Sequence, residues 1–358
     1  MVDKNYCISS YLAFRYIEDD SKDFYPGLHH QNIVLPPEDQ KRPVAAADDI
    51  DREIAKQFCA LKSEKLGILL SGGMDSAILA SYMRGCDAYT FRFLDGLYQE
   101  EELQRAKYYA DYYGLNLHYV DINWEKTVTP YLDRLMRAKA APVHSIEPQI
   151  MQAALQAKSD GVTRMVIGES SDLLFGGMDQ LLSQDWTFGD FMRRYIFTQP
   201  EKVLNQPVSM QYLFERYQIG EKIDFCSFMD DVFSVESSSS YLNAFQTADL
   251  PYTDPYACMR MAELLDLKRV RSGESKYLIR ELFKMKYPGI QVPEKVPMPR
   301  PTDYYFKTWR GPTRSEFRND LNMADFTGDQ KWQMWCLERF LDLYEPETDD
   351  SGAVHTRS

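Results

Sequence analysis

The stretch LGILLSGGMDSAILASYM, residues 66–83, joins an apolar run of strand length to a stretch with helical spacing through a turn of serine and glycine. The run 66–70 has the composition of a strand buried on both faces, and 75–83 that of the helix it feeds. Outward from this unit the alternation repeats: strand-like runs at 88–93, 115–122 and 163–167 are separated by helical patterns at 100–113, 124–138 and 147–158. On the first of these helices, 100–113, Leu103, Ala106, Tyr109 or Ala110 and Tyr113 share one face. Short apolar strands divided by helices predict βαβ crossovers, an α/β fold with a parallel sheet, and a ligand site at the carboxyl ends of the strands.

The flanks read differently. Residues 1–65 form a lead-in with turn and polyproline signals, ending in a helix with Ile50, Ile54, Phe58 and Leu61 on one face and Asp48 or Asp49 as its cap. Residues 66–190 hold the α/β pattern; 191–345 are mainly helical, with a last amphipathic helix at 330–343, and the tail 346–358 has too few apolar groups to order itself. The serine run at 237–240 reads as a solvated loop or helix start, and the prolines of 287–301 exclude a long helix there.

With 358 residues, 44% of them hydrophobic, the chain can bury a substantial core. A net charge of −13 with no long Lys/Arg block argues against nucleic acid as the main partner. Six cysteines without a C-x-x-C pair argue for reduced thiols, not a zinc ribbon or a disulfide framework. The start carries acids where a signal peptide needs a basic and then an apolar segment, and no apolar run is long enough to span a membrane; a soluble, cytoplasmic protein is the expectation.

A turn between a buried strand and a helix leaves N–H groups facing open space at the positive end of the helix dipole, a place that attracts phosphate. Adjacent Gly72 and Gly73 allow close backbone approach. No Gly-Lys pair occurs in the chain, so this is not a Walker loop, and the charged residue that follows is an acid, Asp75. An aspartate beside phosphate calls for a cation between them; Asp75 is therefore either a magnesium ligand on a polyphosphate or simply a helix cap.

Ser71–Ser76, SGGMDS, resembles the pyrophosphate loop of the N-type ATP pyrophosphatases. GESSDLLFGG, residues 168–177, is similar to the G-E-G-S-D-E-x-F-G-G block of the synthetase domain of asparagine synthetases and β-lactam synthetases. Between them Glu102, Ala106, Ala110, Gly114 and His118 keep the family's spacing; PYTDP at 251–255 resembles its P-F-L-D segment and SKYLIRE at 275–281 its E-K-x-x-L-R-E helix. The resemblance covers roughly residues 66–309 and implies an adenine nucleotide alpha hydrolase-like (PP-loop) fold.

It also implies an ATP- and magnesium-dependent ligase that activates a small-molecule carboxylate as an acyl-adenylate, releases pyrophosphate and AMP, and forms an amide with ammonia or another amine. Ser71, Gly72, Gly73 and Ser76 would then cradle pyrophosphate, with Gly168 beside them and Asp75 and Asp172 holding magnesium; Asp172 could otherwise cap a helix. Glu169 would assist deprotonation of the amine and Lys276 neutralise transition-state charge, while Lys295 would be a further pyrophosphate contact. Leu66, Leu70, Phe91 and Phe93 are placed to frame adenine or to be core, and His118 reads as a packed histidine. Where the family opens with a catalytic cysteine after Met1 and a glutaminase domain, this chain has Val2 and only residues 1–65 before the first strand, so ammonia would come free or from a separate glutaminase subunit. Leu173 stands in place of an acid and Ser170 of a glycine, which puts aspartate in doubt as the substrate. Alternatives are an enzyme adenylating a different acceptor, such as a tRNA base, and a nucleotide- or partner-binding homologue without catalysis.

Overall fold

The structure, a computed structural model, describes residues 1–96, 99–294 and 298–345. Five parallel strands form its sheet: β1 Leu66–Leu69, β2 Asp87–Phe93, β3 Asn116–Ile122, β4 Arg164–Val166 and β5 Tyr252–Thr253, in the spatial order β3-β2-β1-β4-β5. Ile68 lies between Ala88 of β2 and Val166 of β4. The chain moves outward from β1 to β2 and β3, then returns to the other side of β1 with β4. That reversal makes the gap beyond the ends of β1 and β4 a topological switch point, where the loops part and leave a crevice.

Helices cover both faces, and side-chain alternation along the strands divides the core in two. Ile68, Leu70, Ala88 and Val166 pack with α2 (Ala47–Ala60), α3 (Met74–Ala80), α4 (Glu100–Tyr113) and a later helix, α9 (Tyr277–Lys286). Tyr89, Phe93, Val120 and Met165 pack on the other side with α1 (Lys4–Phe14), α5 (Thr129–Lys139), α6 (Glu147–Ser159), α8 (Ser234–Ala248) and α10 (Gly328–Tyr344). On α4 the inward face is Ala106, Tyr109 and Ala110, while Leu103 and Tyr113 are only half-buried; Gly114, at φ +69°, ends it in the left-handed conformation. Asp49 reaches back from the first turn of α2 to the N–H groups of Ala45 and Ala46 at 3.0 and 3.1 Å.

Three features depart from the sequence pattern. The start of the lead-in is a buried helix, α1, stapled to α10 by the Gln333 amide, which donates to Leu12 O at 3.0 Å. The serine run lies inside α8, with Ser239 and Ser240 buried, because the helix is packed along α6 and has no face turned wholly to water. Strand β5 has only two residues and no apolar alternation to announce it. Beneath α8 a buried ion pair, Lys139 with Glu147 at 2.7 Å, is completed by the Asn243 amide at 2.6 Å from the second carboxylate oxygen. Burying such a pair is tolerable because the oxygens are also hydrogen-bonded. Residues 346–358, expected to be a disordered tail, lie outside the described residues.

Candidate active site

The crevice beyond β1 and β4 is a cleft with about 1240 Å³ of empty space, part of it open to solvent. Strand β1 delivers Ser71, Gly73, Asp75 and Ser76 to it; β4 delivers Gly168, Glu169 and Asp172; β2 delivers Thr90 and Phe91; and the start of α9 delivers Lys276. Residues far apart in the sequence thus meet because parallel strands end on the same side of the sheet.

The serine-glycine turn is tied to itself. Ser71 N–H donates to Ser76 Oγ at 3.1 Å, the two hydroxyls lie 3.0 Å apart, and Gly73 N–H donates to Ser71 Oγ at 3.1 Å. These donors therefore do not face open space as the sequence suggested, since two short hydroxyls inside so tight a turn reach them first. Met74, Asp75 and Ser76 line the cleft as the first turn of α3, so their N–H groups have no partner from a preceding helical turn.

Gly72 is placed differently from the pyrophosphate cradle the resemblance implied: it is buried and turned away from the cleft. Its N–H bonds the Glu102 carboxylate, and a Cβ there would stand 2.9 Å from the Glu102 carbonyl oxygen, so glycine lets the turn lie against α4. Glu102 itself faces the cleft, and burial raises its carboxyl.

Lys276 organises the charged part of the cleft. It is 2% exposed, and its ammonium contacts Asp75 Oδ1 and, at 2.7 Å, Asp172 Oδ1. Burial works against this charge, and the two carboxylates together outweigh it, so the ammonium lies above the ordinary lysine range. Lys276 has φ +55°, a left-handed conformation that costs a non-glycine residue about 1–2 kcal/mol; it precedes α9 and turns the side chain inward. Ser171 Oγ adds a hydrogen bond to Asp75 Oδ1 at 2.6 Å, and the Tyr256 hydroxyl donates to the Asp75 carbonyl at 3.0 Å. A Cβ on Gly177 would lie 2.3 Å from Asp172 Oδ1, so that glycine makes room for the pair.

Glu169 has another environment. Ser237 Oγ donates to Oε1 and the Tyr241 hydroxyl also bonds the carboxylate, yet burial outweighs both and pushes the carboxyl up to about 7. Nearby, Asp254 accepts from Ser170 N–H at 2.7 Å and Tyr256 N–H at 3.1 Å, which pins the β4 loop to the end of β5. Burial lifts Asp254 to about 6.

Among the apolar residues, Leu70 and Phe91 line the cleft, whereas Leu66 and Phe93 are buried outside it, in the core. His118 stacks on Tyr89 and bonds Asp87 at 2.9 Å, away from the cleft. Lys295 lies outside the described residues. Sequence reasoning gives no site role to Glu102, Ser237, Tyr241 or Asp254: Glu102 and Asp254 lie in segments that carry the resemblance without marking a site group, and Ser237 and Tyr241 reach Glu169 only through the packing of α8. Asp75 and Asp172 suit a magnesium ion, which takes one or two carboxylates and leaves its other positions to water and phosphate. No cluster of three or more His, Cys, Asp or Glu able to hold an ion occurs among the described residues.

A parallel α/β sheet with two glycine-bearing loops at its switch point belongs to the class of open α/β proteins that bind ligands at that crevice. The asparagine synthase family model matches residues 53–261, more than half of the chain, and the chain belongs to that family. It is similar to the root asparagine synthetase (glutamine-hydrolysing) of Pisum sativum, 27% identical over 167 residues that cover 43% of this chain and 28% of that protein. The nodule asparagine synthetase of the same plant is 26% identical over 159 residues, covering 41% of this chain and 27% of that one. The match thus spans under a third of each relative. Two solved structures, the U34-tRNA thiolase of Methanococcus maripaludis and the NMN synthetase of Francisella tularensis, are 13% and 12% identical, with TM-scores of 0.27 and 0.26. They cover 70% and 71% of this chain, and 82% and 100% of their own, at scores too low to carry an argument. No helix among the described residues is long and apolar enough to cross a membrane.

Proposed function

We propose that the protein is an ATP-dependent ligase that joins a carboxylate to ammonia or another amine through an acyl-adenylate. The observation that carries this reading is the meeting of Asp75, Asp172 and Lys276 beside the serine-glycine turn, with Glu169 in the same loop as Asp172.

In the first step a substrate carboxylate oxygen bonds the α-phosphorus of ATP and the bond to the β-phosphate breaks, its electron pair leaving with pyrophosphate. The N–H groups of the first turn of α3, with Ser71, Gly73 and Ser76 shaping the turn beside them, hold the departing phosphates, where donors aimed at developing charge contribute most. Asp75 and Asp172 would hold magnesium, which would supply positive charge to the leaving group. Lys276, kept protonated by those carboxylates, adds a fixed charge that costs no reorganisation during reaction. Phe91 and Leu70 offer an apolar wall to the adenine.

In the second step the amine nitrogen bonds the acyl carbon, AMP leaves with the electron pair of the anhydride bond, and a proton passes from the nitrogen to Glu169. A carboxyl at about 7 is matched to that task near neutral pH, and Ser237 and Tyr241 orient it. In this scheme ammonia is supplied free in solution or by a separate glutaminase chain. The test is magnesium-dependent ATP–pyrophosphate exchange driven by a carboxylate: exchange lost in Asp172→Asn supports the reading, and wild-type rates in that variant overturn it.

A further inference from the structure

A second compartment, with about 520 Å³ of empty space partly open to solvent, adjoins the nucleotide cleft, and Glu169 and Asp172 line both. Its lining is mixed: Leu35, Pro36, Leu173 and Phe233 are apolar, and Ser234, Ser237 and Ser238 of α8 carry hydroxyls. Two features the motifs left unexplained converge here: the serine run, and the leucine that stands where the resemblance leads one to expect an acid. Lys41 also lines it, and its ammonium is engaged by the exposed Glu38.

Charge decides what enters. At the end that meets the nucleotide cleft Lys276 offsets Asp172, and Glu38 engages Lys41, so Glu169, met only by hydroxyls, is the acid that a carboxylate arriving there would face as like charge and that a protonated amine would be drawn to. The remaining walls offer apolar surface and hydroxyls, which suit a short carbon chain better than a second charged head group. Leu173 is half-buried in this lining.

We propose that this compartment is the acceptor site and that it takes a primary amine bearing a short apolar chain, its nitrogen at Glu169 and its chain against Leu35, Leu173 and Phe233. The inference rests on the amide-ligase reading for its purpose, but binding can be tested without turnover. Saturation-transfer NMR on the full chain with magnesium and AMP should show transfer to n-propylamine at pH 8, and at least five-fold less to butyrate. Ser238→Phe, which fills the compartment from a half-buried position, should abolish the propylamine signal; Leu35→Trp should do the same from a different segment of the chain, so that a folding failure of one variant does not decide the matter. Transfer to butyrate instead of propylamine would make this the acyl site and overturn the proposal, as would a propylamine signal that survives both substitutions, or no signal at all. ATP–pyrophosphate exchange, measured in the same variants, reports separately on the ligase reading: both should retain it within about two-fold, and its absence in the wild type would remove that reading while leaving the binding result standing.

Discussion

Asp75 and Asp172 share the ammonium of a buried lysine, whereas Glu169, in the same loop as Asp172, is met by hydroxyls and by burial. Both sets line one cleft, yet they are built for opposite purposes. A carboxylate beside a fixed ammonium is placed to hold a cation or position a phosphate; a carboxyl lifted to about 7 can take up and give back a proton at neutral pH. The resemblance gives the three acids of the two motifs different roles, but nothing in the motifs shows what would set their environments apart. What separates them is supplied from elsewhere: Lys276 from the start of α9 for one set, Ser237 and Tyr241 from α8 for the other.

The largest effect is expected where the charged set loses its centre. Lys276→Met leaves Asp75 and Asp172 without their counter-charge, and should lower stability in urea titrations by about 3 kcal/mol. Exchange activity should fall by ~10³ or more, as for loss of a preorganised charge. Retained activity in a stable Lys276→Met protein would erase the distinction drawn between the two sets.

Glu169→Gln should separate the two steps. Amide formation should fall by ~10²–10⁴ while ATP–pyrophosphate exchange stays within about three-fold, the pattern of a lost general base. The wild-type rate of amide formation should rise with pH through about 7 as Glu169 ionises, and the variant should lack that limb. Stability gives an independent sign. Because the folded carboxyl lies above its unfolded value, the neutral form favours folding below about pH 4.5, and that advantage fades as pH rises through about 7. Glu169→Gln should therefore flatten part of the stability loss between these values, the remainder including Asp254.

Smaller effects sharpen the geometry. Gly177→Ala puts a Cβ 2.3 Å from Asp172 Oδ1 and should cost about 1–3 kcal/mol in thermal or urea unfolding, with exchange reduced as Asp172 shifts. Phe91→Ala removes an apolar wall without touching either acid set, and should raise the KM for ATP by about five-fold, roughly 1 kcal/mol, with little change in kcat.

Much of the sheet was legible because its strands are short apolar runs with helices of regular period between them: 66–70, 88–93 and 115–122 fall on β1, β2 and β3 within a residue or so. The motif residues were legible because the two loops belong to strand ends that must converge in a parallel sheet. Three things were not. The burial of α1 and of the serine run depends on partners far away in sequence, and Ser239 or Tyr11 carries no local sign of the helix that covers it. Gly72 looks like part of a phosphate cradle, and only the approach of Glu102 shows that its missing side chain serves packing against α4. Phe91 and Phe93 share one strand and one residue type, yet Phe91 lines the cleft and Phe93 lies in the core. The difference is one of position along the strand relative to the loops, which periodicity alone does not give.

The most direct test of the central claim is ATP–pyrophosphate exchange with magnesium against pooled carboxylates that include aspartate, with and without ammonia or n-propylamine. The account predicts exchange that depends on one pool and disappears in Asp75→Asn. A protein that binds magnesium-ATP in calorimetry but exchanges with no pool, whether or not an amine is present, would contradict it and leave a nucleotide-binding protein without this chemistry.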